Sequence, residues 1–155
     1  LSARKRLTWR TSLRWQKKAS LRRQIDMSDE KYAQGMAVRR EVLGDEYVDK
    51  AISRAVDFTK PLQDFVAENC WGEIWTRSAI PKKTRSLITI AMLAALKTPA
   101  ELKAHVRGAL RNGCTVMEIQ EVLLQATVYC GVPAGVEAFR AAADVIEAWE
   151  KEAHG

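Results

Sequence analysis

An all-α domain is the fold class this sequence predicts, and three observations carry it. Apolar residues from Tyr32 onward recur three or four apart, which puts them on one face of a helix, and stretches alternating like a strand are negligible. Ala, Leu, Glu, Lys and Arg, the strong helix formers, are abundant. Two signatures of a helix start, Thr98-Pro99-Ala100-Glu101 and Thr115-Val116-Met117-Glu118, stand where apolar faces begin, while Gly44 and Asn112-Gly113 stand where they end. A chain of 155 residues, 47% of them hydrophobic, corresponds to one domain with a sizeable core.

Residues 1–26 are set apart by charge. They hold nine Lys or Arg against one acid, a net of +8, interleaved with Leu7, Trp9, Leu13, Trp15, Leu21 and Ile25. An RNA- or membrane-surface arm, an organelle presequence and a poorly ordered extension all fit this composition. The extension is the favoured reading, because Met27-Ser28-Asp29-Glu30 looks like a fresh beginning; the expected division is 1–26 and 27–155. A secretory signal lacks its continuous apolar core here. Residues 27–155 hold sixteen bases and eighteen acids, a net of −2, so the body has no electrostatic reason to bind nucleic acid.

Within the body, Tyr32, Met36, Val38, Val42 and Leu43 predict a helix that stops at Gly44. Val48, Ile52, Ala55 and Val56 support a second over Tyr47–Phe58, and Pro61 opens a third running to Trp75. After the loop Ser78–Pro81 comes the longest apolar stretch. Leu87, Ile88, Ile90, Ala91 and Leu93–Leu96 offer contacts on nearly every side of a buried helix, yet fall far short of the roughly 20 apolar residues that cross a bilayer. Lys97 ends that helix, and a capping box of Thr98 and Glu101 is expected to open the next, which closes at Asn112-Gly113. Thr115 and Glu118 start another, interrupted at Tyr129–Pro133, and a last helix follows from about Ala134 to Trp149.

Cys70, Cys114 and Cys130 are an odd set without close spacing, which predicts reduced thiols in a cytoplasmic protein instead of a disulfide framework or zinc site. His154 is terminal, so His105 has no second histidine nearby and no metal site is expected. His105, midway along an apolar helix, is either a hydrogen-bonded core residue or a catalytic group. Arg85, near a helix start, suits an anion or an intersubunit salt bridge; Arg77 is a second anion ligand beside a loop. Glu73 lies between Trp71 and Trp75 in sequence, where apolar surroundings would raise its pKa, or it is a surface acid. The two tryptophans either pack a core or wall a pocket, and Cys130 either lines that pocket or is an inert thiol.

The stretches YAQGMAVRREVLGDEYVD, ENCWGEIWTR, TRSLITIAMLAAL, ELKAHVRGALRNG and EIQEVLLQATVYCGVPAG cover the body in order, and on them it resembles the gamma-carboxymuconolactone decarboxylases. The resemblance implies an alkylhydroperoxidase-like helical bundle around a central helical hairpin, assembled as a homohexamer or trimer. It implies a cofactor-free enzyme that decarboxylates 4-carboxymuconolactone to the enol lactone of beta-ketoadipate in protocatechuate catabolism. The peroxidase-like relatives carry a C-x-x-C pair where Thr98 and Glu101 stand here, so thiol–disulfide chemistry is excluded at this site. A redox or isomerising enzyme of the same superfamily is the alternative, and a nucleic-acid-binding protein acting through the tail the more distant one.

For that reaction the roles follow from chemistry. Arg85, with Arg77 behind it, holds a dicarboxylate through a planar fork. His105 gives a proton or a hydrogen bond to the developing oxyanion, and Glu73 gives a proton or orients the imidazole. Glu101, one turn before His105, either fixes the imidazole or merely caps the helix. Trp71, Trp75 and Cys130 line the substrate.

Overall fold

A computed structural model of the chain describes residues 3–154, with side chains over residues 16–153. Seven α-helices and one π-helical segment account for the described backbone, and no strand occurs among the described residues. They are α1 (Ala3–Leu43), α2 (Asp45–Ser53), α3 (Lys60–Phe65) running directly into the π-helical segment Val66–Trp75, α4 (Lys82–Leu96), α5 (Pro99–Arg111), α6 (Val116–Cys130) and α7 (Val132–His154). The bundle and its α4–α5 hairpin are the predicted architecture.

Two cores divide the work. Ile90 and Ala94 of α4, Leu102, Val106 and Ala109 of α5, Ile119 and Leu123 of α6, and Ala138, Ala141 and Ala142 of α7 form a four-helix core. Val42 and Leu43 of α1, Val48 of α2, and Trp71 and Trp75 of the π-helical segment form a second, against which Ala104 of α5 packs. Helix α5 is therefore shared: one face lies in the four-helix core and the other, through Ala104 and Gly108, meets the α1 side. Gly108 allows that approach, since a Cβ there would stand 3.0 Å from Val42 Cγ1 and 3.1 Å from its carbonyl oxygen.

The π-helical segment is pressed against α1 through glycine. A Cβ on Gly35 would lie 2.0 Å from the Ala67 carbonyl oxygen and 2.6 Å from the Gly72 nitrogen, so the two backbones touch only because none is there. Lys31 of α1 pairs with Glu73 at 2.5 Å, and Ser28 donates to Glu68 at 2.9 Å, tying the same two elements along their length.

Several local expectations change. The first predicted helix does stop at Gly44, but α1 begins well before Tyr32 and runs unbroken through Met27, with Gln16–Met27 exposed. Helix α2 ends at Ser53, short of Phe58, which is 93% exposed. The third predicted helix changes at Val66 from α to π winding. The Thr98–Glu101 capping box does not form. Lys97 closes α4 in a left-handed conformation, φ 55°, the Thr98 N–H and hydroxyl both turn back to the Leu93 carbonyl, at 3.2 and 3.4 Å, and no side-chain bond caps α5. The Thr115–Glu118 box does form, with both bonds present. Helix α4 is not covered on every side within one chain: Ile88, Met92 and Leu96 are exposed.

Candidate active site

His105 lies against two stacked indoles. The π-helical segment places Trp71 and Trp75 four residues apart on one side, their rings stacked with centroids 4.9 Å apart. Helix α5 brings the imidazole to both. Its plane lies within 1° of the Trp71 plane at a centroid distance of 6.1 Å, and it tilts 31° to Trp75 at 6.2 Å. These are offset aromatic contacts, which hold a ring's orientation by shape and quadrupole.

The indoles and the burial around them set the imidazole's charge. Nδ1 is buried and has no hydrogen-bond partner. Burial pushes the pKa of His105 down to about 4, because the charged form loses its hydration; Glu101, one turn earlier, opposes this by favouring the cation. At neutral pH the ring is uncharged. It is a hydrogen-bonding imidazole with one unsatisfied nitrogen, not a standing imidazolium.

Arg85 occupies the first turn of α4. Its Nη2 donates to the Arg77 carbonyl at 3.1 Å, and its Nε is buried without a partner. Arg77 thus meets Arg85 through its backbone, while its own side chain is exposed. Glu101 is exposed on the first turn of α5 and, with the capping box absent, its carboxylate is not committed to the helix start.

Glu73 departs from expectation. Two residues from each tryptophan on a helical segment, it projects to the opposite side and pairs with Lys31. The hydrogen bond from Lys31, with its charge, holds the Glu73 carboxyl below the usual carboxylate range, so the predicted rise in pKa is reversed. Cys130 is also elsewhere. It is exposed and lines a groove of about 340 Å³ between α4 and α6, with Leu87, Ile88, Ala91, Val122, Gln125, Ala126 and Tyr129; neither tryptophan nor His105 belongs to it.

One residue with the marks of a site escaped the sequence reading. Arg39 of α1 is buried, its Nε without a partner. Its signal was available: it falls between Gly35 and Val42 on the apolar stripe of α1, where a lysine or arginine is not expected unless paired. Among the described residues no group of three His, Cys, Asp or Glu is gathered to hold a metal, and no helix is long and apolar enough to cross a membrane.

With this geometry in hand, comparison with known proteins is informative. Residues 60–144 match the model described as the carboxymuconolactone decarboxylase family. The nitrosuccinic acid decarboxylase npaB of Metarhizium robertsii is 44% identical over 107 residues, covering 69% of this chain and 75% of that protein. The 4-carboxymuconolactone decarboxylase of Acinetobacter baylyi is 41% identical over 122 residues, covering 78% of this chain and 91% of that one. The matched span contains both tryptophans, Glu73, Arg77, Arg85, Glu101, His105 and Cys130, and begins after Arg39.

Proposed function

This chain belongs to the carboxymuconolactone decarboxylase family, and from that premise we propose that it decarboxylates 4-carboxymuconolactone to the enol lactone of beta-ketoadipate without a cofactor. The observation that carries the reading is the uncharged, indole-walled imidazole of His105 with its unpartnered Nδ1.

In the proposed reaction the bond from the ring carbon to its carboxylate breaks, and CO2 leaves. The electron pair spreads through the ring double bond onto the lactone carbonyl oxygen. A proton then adds to carbon, so one proton is taken up for each CO2 released. The substrate supplies its own electron sink. What the protein adds is a grip on the dianion, a donor for the growing oxyanion and a proton.

Arg85 provides the grip: its Nε lacks a partner, and a carboxylate is the partner its fork fits. His105 donates a hydrogen bond to the oxyanion from a largely buried site, where such a bond counts for more than in water. The bound dianion also favours the imidazolium, so substrate binding raises the proton affinity of His105 and draws in the proton that the carbon later receives. Glu101 acts in the same sense. Glu73, held as a carboxylate by Lys31, fixes the π-helical segment and thereby the two indoles. Trp71 and Trp75 wall the ring, and Arg77 supplies positive charge at the solvent side. Cys130 stays outside this scheme.

A second substrate has a specific observation behind it. Nitrosuccinic acid, named for the Metarhizium relative, is also a dicarboxylic acid with an electron-withdrawing group next to a carboxylate-bearing carbon. A homo-oligomer accompanies either reading, since Phe58, Val128 and Leu96 present large apolar side chains at 93%, 80% and 70% exposure. The test is CO2 release from each acid by the purified protein with no thiol or metal added. Release from the lactone supports the proposal; release from nitrosuccinate alone moves the substrate, and release from neither overturns it.

A further inference from the structure

Arg39 is 6% exposed, and among the described residues its guanidinium makes one hydrogen bond to a side chain: Nη1 to the Gln63 amide oxygen, at 3.0 Å. Gln63 is neutral, and Nε has no partner at all. No carboxylate among the described residues forms an ion pair with it. The phenols of Tyr32 and Tyr47 are the ionisable groups that bear on it, and burial pulls its pKa below the ordinary arginine value. The next residue makes the contrast. Arg40 is partly exposed and carries two carboxylates, Asp45 at 3.0 Å and Asp49 at 2.6 Å.

Burying a cation without an anion is unfavourable even after the protein relaxes around it. Ser86, the other buried polar residue among those described, is satisfied by Asn112 at 2.9 Å. An apolar side chain at position 39 would serve the core better than an arginine does. A buried guanidinium with an open edge suits an anionic ligand.

The register of α1 says where that ligand would be. Gly35, one turn before Arg39, lies against Gly72, next in sequence to Trp71. Val42, one turn after Arg39, lies against Gly108, one turn beyond His105 on α5. Residues 35, 39 and 42 share a face of α1. Arg39 therefore stands on the stripe between the crossing of the π-helical segment and the crossing of α5, the two elements that supply the indoles and the imidazole. Arg85 is tied to the carbonyl of Arg77, two residues past the end of the π-helical segment.

We propose that Arg39 is a second anion-binding residue of the active site, taking a carboxylate of a small dicarboxylic acid through its unpartnered guanidinium edge while Gln63 steadies the other edge. This rests on the dicarboxylate reading above and adds the residue that makes the site divalent. A molecule with two carboxylates then satisfies two arginines that are each left incomplete in the free protein.

The test uses the full chain, with Arg39→Met and Arg39→Lys. Succinate, a dicarboxylate without an electron sink, serves as the probe at matched ionic strength, read by thermal melting and calorimetry. Wild type is expected to melt higher with succinate. Arg39→Met is expected to melt no lower than wild type without ligand, to gain nothing from succinate, and to lose about 100-fold or more in kcat/KM, as loss of a buried charge partner does. Arg39→Lys keeps the charge and loses the fork; a rise in KM of about tenfold is expected. A purely structural arginine gives the opposite pattern: Arg39→Met melts lower, while the succinate shift and kcat/KM persist, and this overturns the proposal. Should Arg39→Met not fold, an unchanged KM in Arg39→Lys overturns it instead. A wild type that binds succinate through Arg39 yet decarboxylates neither acid removes the substrate reading and leaves the anion site standing.

Discussion

The imidazole of His105 lies parallel to the indole of Trp71, their planes within 1° and their centroids 6.1 Å apart. Seventy-one and one hundred and five are far apart in the chain, and the parallel rings exist only because α5 and the π-helical segment are both pressed onto α1. From that contact come the charge state of the histidine and most of what can be tested.

His105 is expected to titrate with a midpoint near 4, followed by NMR of its C2 proton, while an unperturbed histidine titrates near 6.5. Because the folded pKa is the lower one, the unfolded chain binds more protons between those values. Stability from this group is thus complete above about pH 6.5 and falls as the solution is acidified towards pH 4, by up to about 1.4 kcal/mol per pH unit. Denaturant melts across that window measure it, and a midpoint near 6.5 would show that the ring is hydrated.

Glu101 favours the imidazolium. Glu101→Gln is therefore expected to move the His105 midpoint further down, with little change in melting temperature because the capping box it would break is absent. His105→Gln is expected to lower kcat by about 100-fold, the usual cost of losing an oxyanion donor. Near-normal turnover in an intact His105→Gln protein would end the catalytic assignment.

Arg85→Ala and Glu73→Gln separate grip from scaffold. Arg85→Ala is expected to raise KM by about tenfold or more, since a carboxylate then loses a charged forked donor. Glu73→Gln breaks a half-exposed, solvent-screened pair with Lys31, whose loss costs the fold little. It is expected to keep most of the turnover. A collapse of kcat with KM unchanged would instead make Glu73 the acid.

Gly35→Ala puts a methyl group 2.0 Å from the Ala67 carbonyl oxygen, a backbone atom that cannot swing aside. The helices must separate, which costs about 1–3 kcal/mol or more. Chemical denaturation measures the loss, and a changed tryptophan emission reports the displaced Trp71–Trp75 pair. Unaltered stability would mean that the two backbones do not meet there.

Much of the fold was legible because helices announce their ends locally. The Thr115–Glu118 box, Gly113 at φ 81° and Gly131 at φ 95° are set by residues a turn apart, and their signals were read correctly. Thr98 misled for a related reason. The same hydroxyl that can open α5 can close α4, and the left-handed Lys97 decided the competition in favour of Leu93. The turn from α to π winding at Val66 has no local signature; close contact of its Ala67 and Gly72 backbone with Gly35 accompanies it, and Gly35 belongs to α1, far back in the chain.

By itself, the sequence determined an all-α bundle and its hairpin, because periodicity and caps act over a few residues, and its resemblance to a known family singled out a short set of chemically capable residues. Tertiary structure alone decided which of them share surroundings. It stacked His105 on Trp71 and drained its charge, turned Glu73 away to Lys31, and left Cys130 in a separate groove. It also buried Arg39 without a carboxylate. The reason is physical: a pKa, an unsatisfied nitrogen or a buried charge depends on what packs around the group, and those neighbours come from helices distant in sequence.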